Sequence, residues 1–287
     1  MSRQSGSFYK SNRREENQMA FLTCDFFASQ LGMDIPMNVL LPEKRQEKPV
    51  LRPDAKYKVL YLLHGHSDDA SSYIRKSVIE LLVRRYDLAV VMPEAHRSGY
   101  GNSAHGHAYY DYILEDVMVQ APNFFPISTA PEDTYIAGLS MGGMGAMRIA
   151  LNNPRRFAGV GCLSAGIHKK GIGSNMFTSE DFTRNASRTA DSTPSQDLEA
   201  LLRELDKVGG LPDVKFFHEC GTDDPLYPGY CALRDVFHSL KGQWNYRCEE
   251  RPGNHNWDNW NYYLPRMLQY FGLIPEGDET DNRKILF

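Results

Sequence analysis

The sequence has no apolar run approaching the ~20 residues that a helix needs to cross a bilayer, so no membrane association is expected. It has no basic stretch either. Its 32 Lys and Arg are outweighed by 36 Asp and Glu, and a net charge of −4 offers nothing to neutralise a phosphate backbone, which argues against a nucleic-acid partner. Met1 to Gln18 is polar and charged and lacks the apolar core of a secretory signal, so the expected location is cytoplasmic. The five cysteines (Cys24, Cys162, Cys220, Cys231 and Cys248) are odd in number and scattered, without the paired spacing of a zinc site or a disulfide framework. They read as reduced thiols, mostly buried. Internal repeats and low-complexity tracts are also absent.

What is present is one long stretch of hydrophobic patterning. At 287 residues, against roughly 100–200 per domain, the chain reads as a single domain over 19–275, between a loose arm (1–18) and a polar tail (276–287) ending in Ile285-Leu286-Phe287. Met19 to Leu41 suggests two short strands joined by a turn. From Tyr57 onward, short apolar runs alternate with helical periodicity, the pattern of βα units feeding a mostly parallel sheet with helices on both faces. Strands are expected at 58–63, 88–92, 134–137, 158–163, 214–219 and 245–249. Ile74, Val78, Ile79 and Leu82 mark one helix face, and Tyr230, Leu233, Val236, Phe237 and Leu240 mark another. The Gly-, Ser-, Thr- and Asn-rich stretch 168–193 is too long for an ordinary connection and is a candidate lid.

The sharpest motif is Gly138-Leu139-Ser140-Met141-Gly142, set between a strand pattern (134–137) and a helix pattern (144–151). A G-x-S-x-G in that context defines the tight strand-to-helix turn of an α/β-hydrolase fold, where flanking side chains would collide and glycines are required. Ser140 would then be the nucleophile at a helix N-terminus, whose N–H groups and dipole face developing negative charge. A serine hydroxyl is a poor nucleophile at neutral pH, so a histidine must take its proton and a carboxylate must orient that histidine, in the chain order Ser, acid, His. His255 lies in the loop after the last expected strand, whereas His218 falls inside a strand and His238 on a helix. The acid should follow the penultimate strand, where Asp223 and Asp224 compete. Pro225 restrains the residue before it to an extended conformation, which favours Asp224.

The oxyanion hole requires two backbone donors, one from the residue after the nucleophile, Met141, and one from the loop after an earlier strand. His64-Gly65-His66 supplies that loop, with the amide of His66 as the expected donor. Substrate-pocket candidates are the loop aromatics Tyr100 and Tyr109, and Trp257 and Trp260 after His255. His96, His105 and His107 lie close together but match no zinc spacing, so no metal site and no cofactor are expected.

Five segments in order, Tyr61-Leu62-Leu63-His64-Gly65, Val91-Met92-Pro93, Ala137-Gly138-Leu139-Ser140-Met141-Gly142-Gly143, Cys220-Gly221-Thr222-Asp223-Asp224 and Gly253-Asn254-His255-Asn256-Trp257, resemble the esterase family that includes esterase D (S-formylglutathione hydrolase), bacterial tributyrin esterases, and the acetylxylan and feruloyl esterases of carbohydrate esterase family one. The resemblance spans about Leu60 to Leu273. It implies Ser140, Asp224 and His255 as the triad, with amides of His66 and Met141 as oxyanion donors. Tyr100 to His107 departs from the family's usual acidic, threonine-containing loop. The expected activity is hydrolysis of short-chain or aromatic-acid esters, with carbohydrate esters among the expected small-molecule partners. Thioester hydrolysis, acyl transfer and a non-catalytic binding role are the rivals. The aromatic surface and apolar C-terminal tip raise the expectation of a homo-oligomer.

Overall fold

The computed structural model describes residues 18–43, 54, 56–103, 106–167, 195 and 197–276. Among these, eight strands form one sheet in the order β1-β2-β4-β3-β5-β6-β7-β8: β1 Gln18–Ala28, β2 Met33–Glu43, β3 Lys58–Leu63, β4 Leu88–Pro93, β5 Thr134–Leu139, β6 Gly159–Leu163, β7 Gly210–Gly221 and β8 Gln243–Arg251. The β1–β2 and β2–β4 pairs are antiparallel and the remaining pairs are parallel. This mostly parallel sheet, covered by helices on both faces, is an α/β-hydrolase architecture.

Strict alternation along the central strands builds two cores. Val59, Tyr61 and Leu63 of β3 join one cluster with Ala89 and Val91 of β4, whereas Leu60 and Leu62 join the other with Leu88, Val90 and Met92. The first face is covered by α4 (Met141–Asn152), α5 (Leu198–Lys207), α6 (Tyr227–Ser239) and a helical segment that passes from Tyr109–Asp111 through a π-helical turn, Tyr112–Val117, into α3 (Met118–Phe124). The second face is covered by the short helices α1 (Ser72–Lys76) and α2 (Ile79–Val83) and by α7 (Trp257–Phe271).

Two local expectations need correction. The strands before Tyr57 are not short: β1 and β2 run eleven residues each and pair along their whole length, turning at Gly32 with φ 67°. Pro36 is tolerated because it sits just beyond the β2–β4 ladder, where its carbonyl accepts from the Glu94 amide at 3.1 Å. The helix face through Ile74 and Leu82 is divided between two helices. Ser77 is extended at the junction, and its hydroxyl donates to Tyr73 O at 2.6 Å and accepts from the Ile79 amide at 3.2 Å, competing with the helical ladder. The expected lid (168–193), residues 1–17 of the arm and residues 277–287 of the tail lie outside the described residues.

Candidate active site

Leu63 pairs with Gly138, Leu139 with Leu163, and Leu163 with Glu219, so β3, β5, β6 and β7 end together and their following loops meet at one edge of the sheet. Such carboxyl ends are where open α/β sheets place their ligands. Ser140 sits between β5 and α4 with φ 54° and ψ −119°, a backbone conformation rarely adopted by a residue with a side chain. The turn is held by its amide, which donates to Leu163 O at 2.7 Å, and by two glycines. A Cβ on Gly138 would lie 2.5 Å from the backbone of Gly142, and one on Gly142 would lie 2.2 Å from Leu63 O.

Above this turn the structure brings three expected residues together. Ser140 Oγ donates to His255 Nε2 at 3.0 Å, and His255 Nδ1 donates to Asp224 Oδ2 at 2.8 Å. The Asp224 side chain is 0% exposed and that of His255 is 14% exposed, so the carboxylate is dry while the imidazole reaches the surface. The other Asp224 oxygen accepts from the Leu226 amide at 2.7 Å, which fixes the carboxylate. Asp223 is exposed, and its amide donates to Gly253 O at 2.9 Å, tying the turn that carries Asp224 to the turn that carries His255. Of the two aspartates, Asp224 is the one whose carboxylate points at the imidazole. Of the other histidines, His218 is fully buried, with Tyr246 Oη 2.9 Å from Nδ1 and Ala165 O 2.8 Å from Nε2. Burial pulls it down to about 4, against the bond to Ala165.

Met141 opens α4, and the first N–H groups of a helix have no partner within it. His66 follows β3 in a turn closed by the Asp68 amide on Gly65 O at 3.1 Å. Gly65 lets this turn lie against the nucleophile strand: a Cβ there would meet Leu139 Cδ1 at 2.6 Å. The His64 side chain is buried, with Nδ1 2.8 Å from Gly65 O and Nε2 accepting from the Ala95 amide at 3.0 Å, and so ties the turn to the end of β4. Glu94 stands beside it. Burial would raise its carboxyl, but His64 and the amides of Ala70 and His96 hold it at about 2.

The aromatic candidates separate. Tyr100, expected in a pocket wall, is fully buried, with its ring against Gly145 and its hydroxyl donating to His64 O at 3.0 Å; it supports the turn from beneath. Tyr109 is buried with its hydroxyl 2.6 Å from His96 Nδ1. Trp260 is buried beneath His255, and Trp257 is half-buried against Tyr73 and Lys76. Sequence reasoning missed Arg148 on α4, a buried cation with the carbonyls of Gly99 and Tyr100 as hydrogen-bond acceptors. Burial lowers it to about 10. It clamps the loop in which Gly99 and Tyr100 both have positive φ, and an apolar helix face interrupted by one arginine was its only signal.

Beside the His66 turn lies an open cavity of about 470 Å³ whose walls include His66, Ser67, Asp69, Glu94, His96 and Arg97. The Arg97 guanidinium packs on the His66 ring, 3.2 Å from Nε2. Among the described residues no group of three metal-ligating side chains is assembled, and no helix is long and apolar enough to cross a membrane. His105 and His168 lie outside the described residues.

A strained serine at a strand-to-helix turn, bonded to a histidine that is itself bonded to a buried carboxylate, is an arrangement that can move a proton from serine to imidazole as the serine attacks a carbonyl carbon. Fold and comparisons together define the class: a serine carboxylic ester hydrolase of the α/β-hydrolase type. Residues 28–271 match the family model described as "Esterase: Putative esterase", and the chain belongs to that family. It is 29% identical over 271 residues to an acetyl esterase of Caldicellulosiruptor saccharolyticus, covering 90% of this chain and all of the relative. Among solved structures it is similar to the fluorophosphonate-binding serine hydrolase FphF of Staphylococcus aureus, with a TM-score of 0.74, 31% identity, and coverage of 88% of this chain and 98% of that one. It is also similar to the S-formylglutathione hydrolase FrmB of Staphylococcus aureus, with a TM-score of 0.73, 29% identity, and coverage of 88% and 99%.

Proposed function

We propose that the chain hydrolyses short-chain acyl esters of hydroxyl-rich alcohols such as sugars, through Ser140, His255 and Asp224 and an acyl-enzyme. The observation that carries this reading is the continuous Ser140–His255–Asp224 hydrogen-bond chain at 3.0 and 2.8 Å. Ser140 Oγ attacks the ester carbonyl while its proton passes to His255 Nε2. Asp224 holds Nδ1–H and stabilises the imidazolium. The amides of Met141 and His66 receive the oxyanion, and the alcohol departs with the proton from Nε2. A water, deprotonated by the same nitrogen, then releases the acid and restores Ser140.

A short acyl group is supported by the acetyl esterase relative. A hydroxyl-rich alcohol is supported by the carboxylate, imidazole and guanidinium groups among the walls of the cavity at the His66 turn, which can hydrogen-bond to hydroxyls. Similarity to an S-formylglutathione hydrolase favours a second reading, thioester hydrolysis with Arg97 meeting a substrate carboxylate.

The test is hydrolysis of p-nitrophenyl esters from acetate to octanoate, methyl ferulate, an acetylated sugar and S-formylglutathione, by wild type and Ser140→Ala in parallel. Activity greatest on acetyl esters and lost in the variant is expected. A Ser140→Ala protein that keeps most of its activity overturns the mechanism, and a preference for the thioester selects the second reading.

A further inference from the structure

Glu219 lies near the C-terminal end of β7, five residues before Asp224, and is fully buried on the α7 side of the sheet. Its Oε2 accepts from Asn259 Nδ2 at 3.1 Å. Among the described residues no cation forms an ion pair with it. On β8 its register partner is another acid, Glu249, whose carboxylate already meets Arg247 at 2.5 Å and Arg266 at 4.0 Å. From the following loop comes Asp224 and from α7 Tyr263 besides Asn259, while Cys162 of β6 lies on the opposite face of the sheet and Cys220 is next on its own strand.

Two buried oxygens of this pair have no donor, Glu219 Oε1 and Asn259 Oδ1. Buried polar atoms left so are uncommon and costly. A single proton on Glu219 accounts for both, because a carboxylic acid donates through its hydroxyl and accepts through its carbonyl while a primary amide does the converse.

We propose that Glu219 is a positioning residue, a proton-bearing carboxyl that pairs with Asn259 at two points, Nδ2–H to Oε2 and Oε1–H to Oδ1, and so fixes the turn carrying His255. The pair reaches that turn directly: a Cβ on Gly253 would lie 2.6 Å from Asn259 Oδ1, so the carboxamide is the floor of Gly253–His255. Asn259 also donates its amide to the α7 cap, Asn256 Oδ1, at 3.1 Å. Burial, opposed by the Asn259 donor and reinforced by Asp224 and Glu249, pushes the Glu219 carboxyl well above the usual range. A neutral acid here also leaves Asp224 as the charge that His255 meets.

The part of this inference concerning His255 rests on the proposed Ser140–His255–Asp224 mechanism; the protonation of Glu219 does not. The test compares wild type, Glu219→Gln and Glu219→Leu. Glutamine reproduces both hydrogen bonds without a titrating proton. A carboxyl with a raised folded pKa contributes fully below its unfolded value of 4.5 and loses that contribution as pH rises towards the folded value. As pH rises above 4.5, urea unfolding should therefore show wild type losing ground to Glu219→Gln, with a limiting slope of about tenfold in the unfolding equilibrium constant per pH unit. With p-nitrophenyl acetate, Glu219→Gln should keep kcat within about twofold and an unchanged pH–rate profile, whereas Glu219→Leu should lower kcat about tenfold with KM preserved, through a displaced base. A stability difference independent of pH, or a glutamine variant as impaired as the leucine one, overturns the proposal. If Glu219→Leu does not fold, the glutamine comparison decides alone. If Ser140→Ala remains active, the mechanism fails while the stability arm still reports the proton.

Discussion

Trp260 meets His255 edge-on, with ring centroids 5.1 Å apart and planes at 87°, and donates its indole N–H to Ser164 Oγ at 2.8 Å. Ser164 follows β6 with φ 48°. One side chain on α7 thus packs beneath the candidate base and secures the loop beside the candidate nucleophile. Trp260→Phe keeps an aromatic edge but removes the donor, and should cost about 1–3 kcal/mol in urea unfolding. A lower kcat on p-nitrophenyl acetate should accompany it, and an unchanged unfolding midpoint would show that the indole bond is dispensable.

Asp224 and Asp223 are neighbours in sequence with opposite surroundings, one dry and bonded to His255, the other exposed. Asp224→Asn should lower kcat by on the order of 10⁴, because an amide no longer enforces the tautomer that leaves Nε2 unprotonated. Asp223→Asn should stay within about threefold of wild type, as a surface substitution does. Steady-state kinetics on one short ester distinguishes the two, and comparable losses would reject the assignment of Asp224.

His218 makes stability sensitive to mild acid. Its folded value of about 4 lies below the ordinary 6.5. Between these pH values the unfolded chain binds a proton that the folded chain does not, so stability falls as pH drops from 6.5 towards 4 and is independent of this group above that window. At pH 4.5 the loss should be roughly 2–3 kcal/mol. Urea titrations at pH 7 and 4.5 should show a smaller loss for His218→Gln, and parallel losses would contradict the assignment.

Gly142→Ala brings a methyl group 2.2 Å from Leu63 O, a backbone atom that cannot swing aside. Overpacking of this kind should cost about 1–3 kcal/mol or more and disturb the Ser140 turn. Thermal denaturation and esterase assays are expected to fall together, and full activity in the variant would show that the turn relaxes without cost.

The sequence made Ser140 and His255 legible because local chemistry marks them: glycines forced by a tight turn, and a histidine in a loop between strand and helix. The choice between Asp223 and Asp224 was only a preference, since adjacent residues share every local signal and differ in which one the turn after β7 directs inward. The central strands were legible from continuous apolar runs, with β3 matching its expected limits and β7 and β8 extending further at both ends. The long hairpin before Tyr57 was not, because Pro36 and Gly32 read as breakers until the neighbouring ladder shows where each is harmless. Tyr100 and Arg148 were misread or missed for one reason: both act through backbone carbonyls of a loop, and no side-chain pattern announces such contacts.

The three groups of the candidate site hang from β5, β7 and β8, with 115 residues separating Ser140 from His255. Pairing between parallel strands so distant in sequence is intrinsically slow to form. During refolding, helical signal should return well before any turnover, because no subset of the strands contains both nucleophile and base until β8 has joined the edge of the sheet. Recovery of esterase activity is therefore a clock for completion of the whole fold.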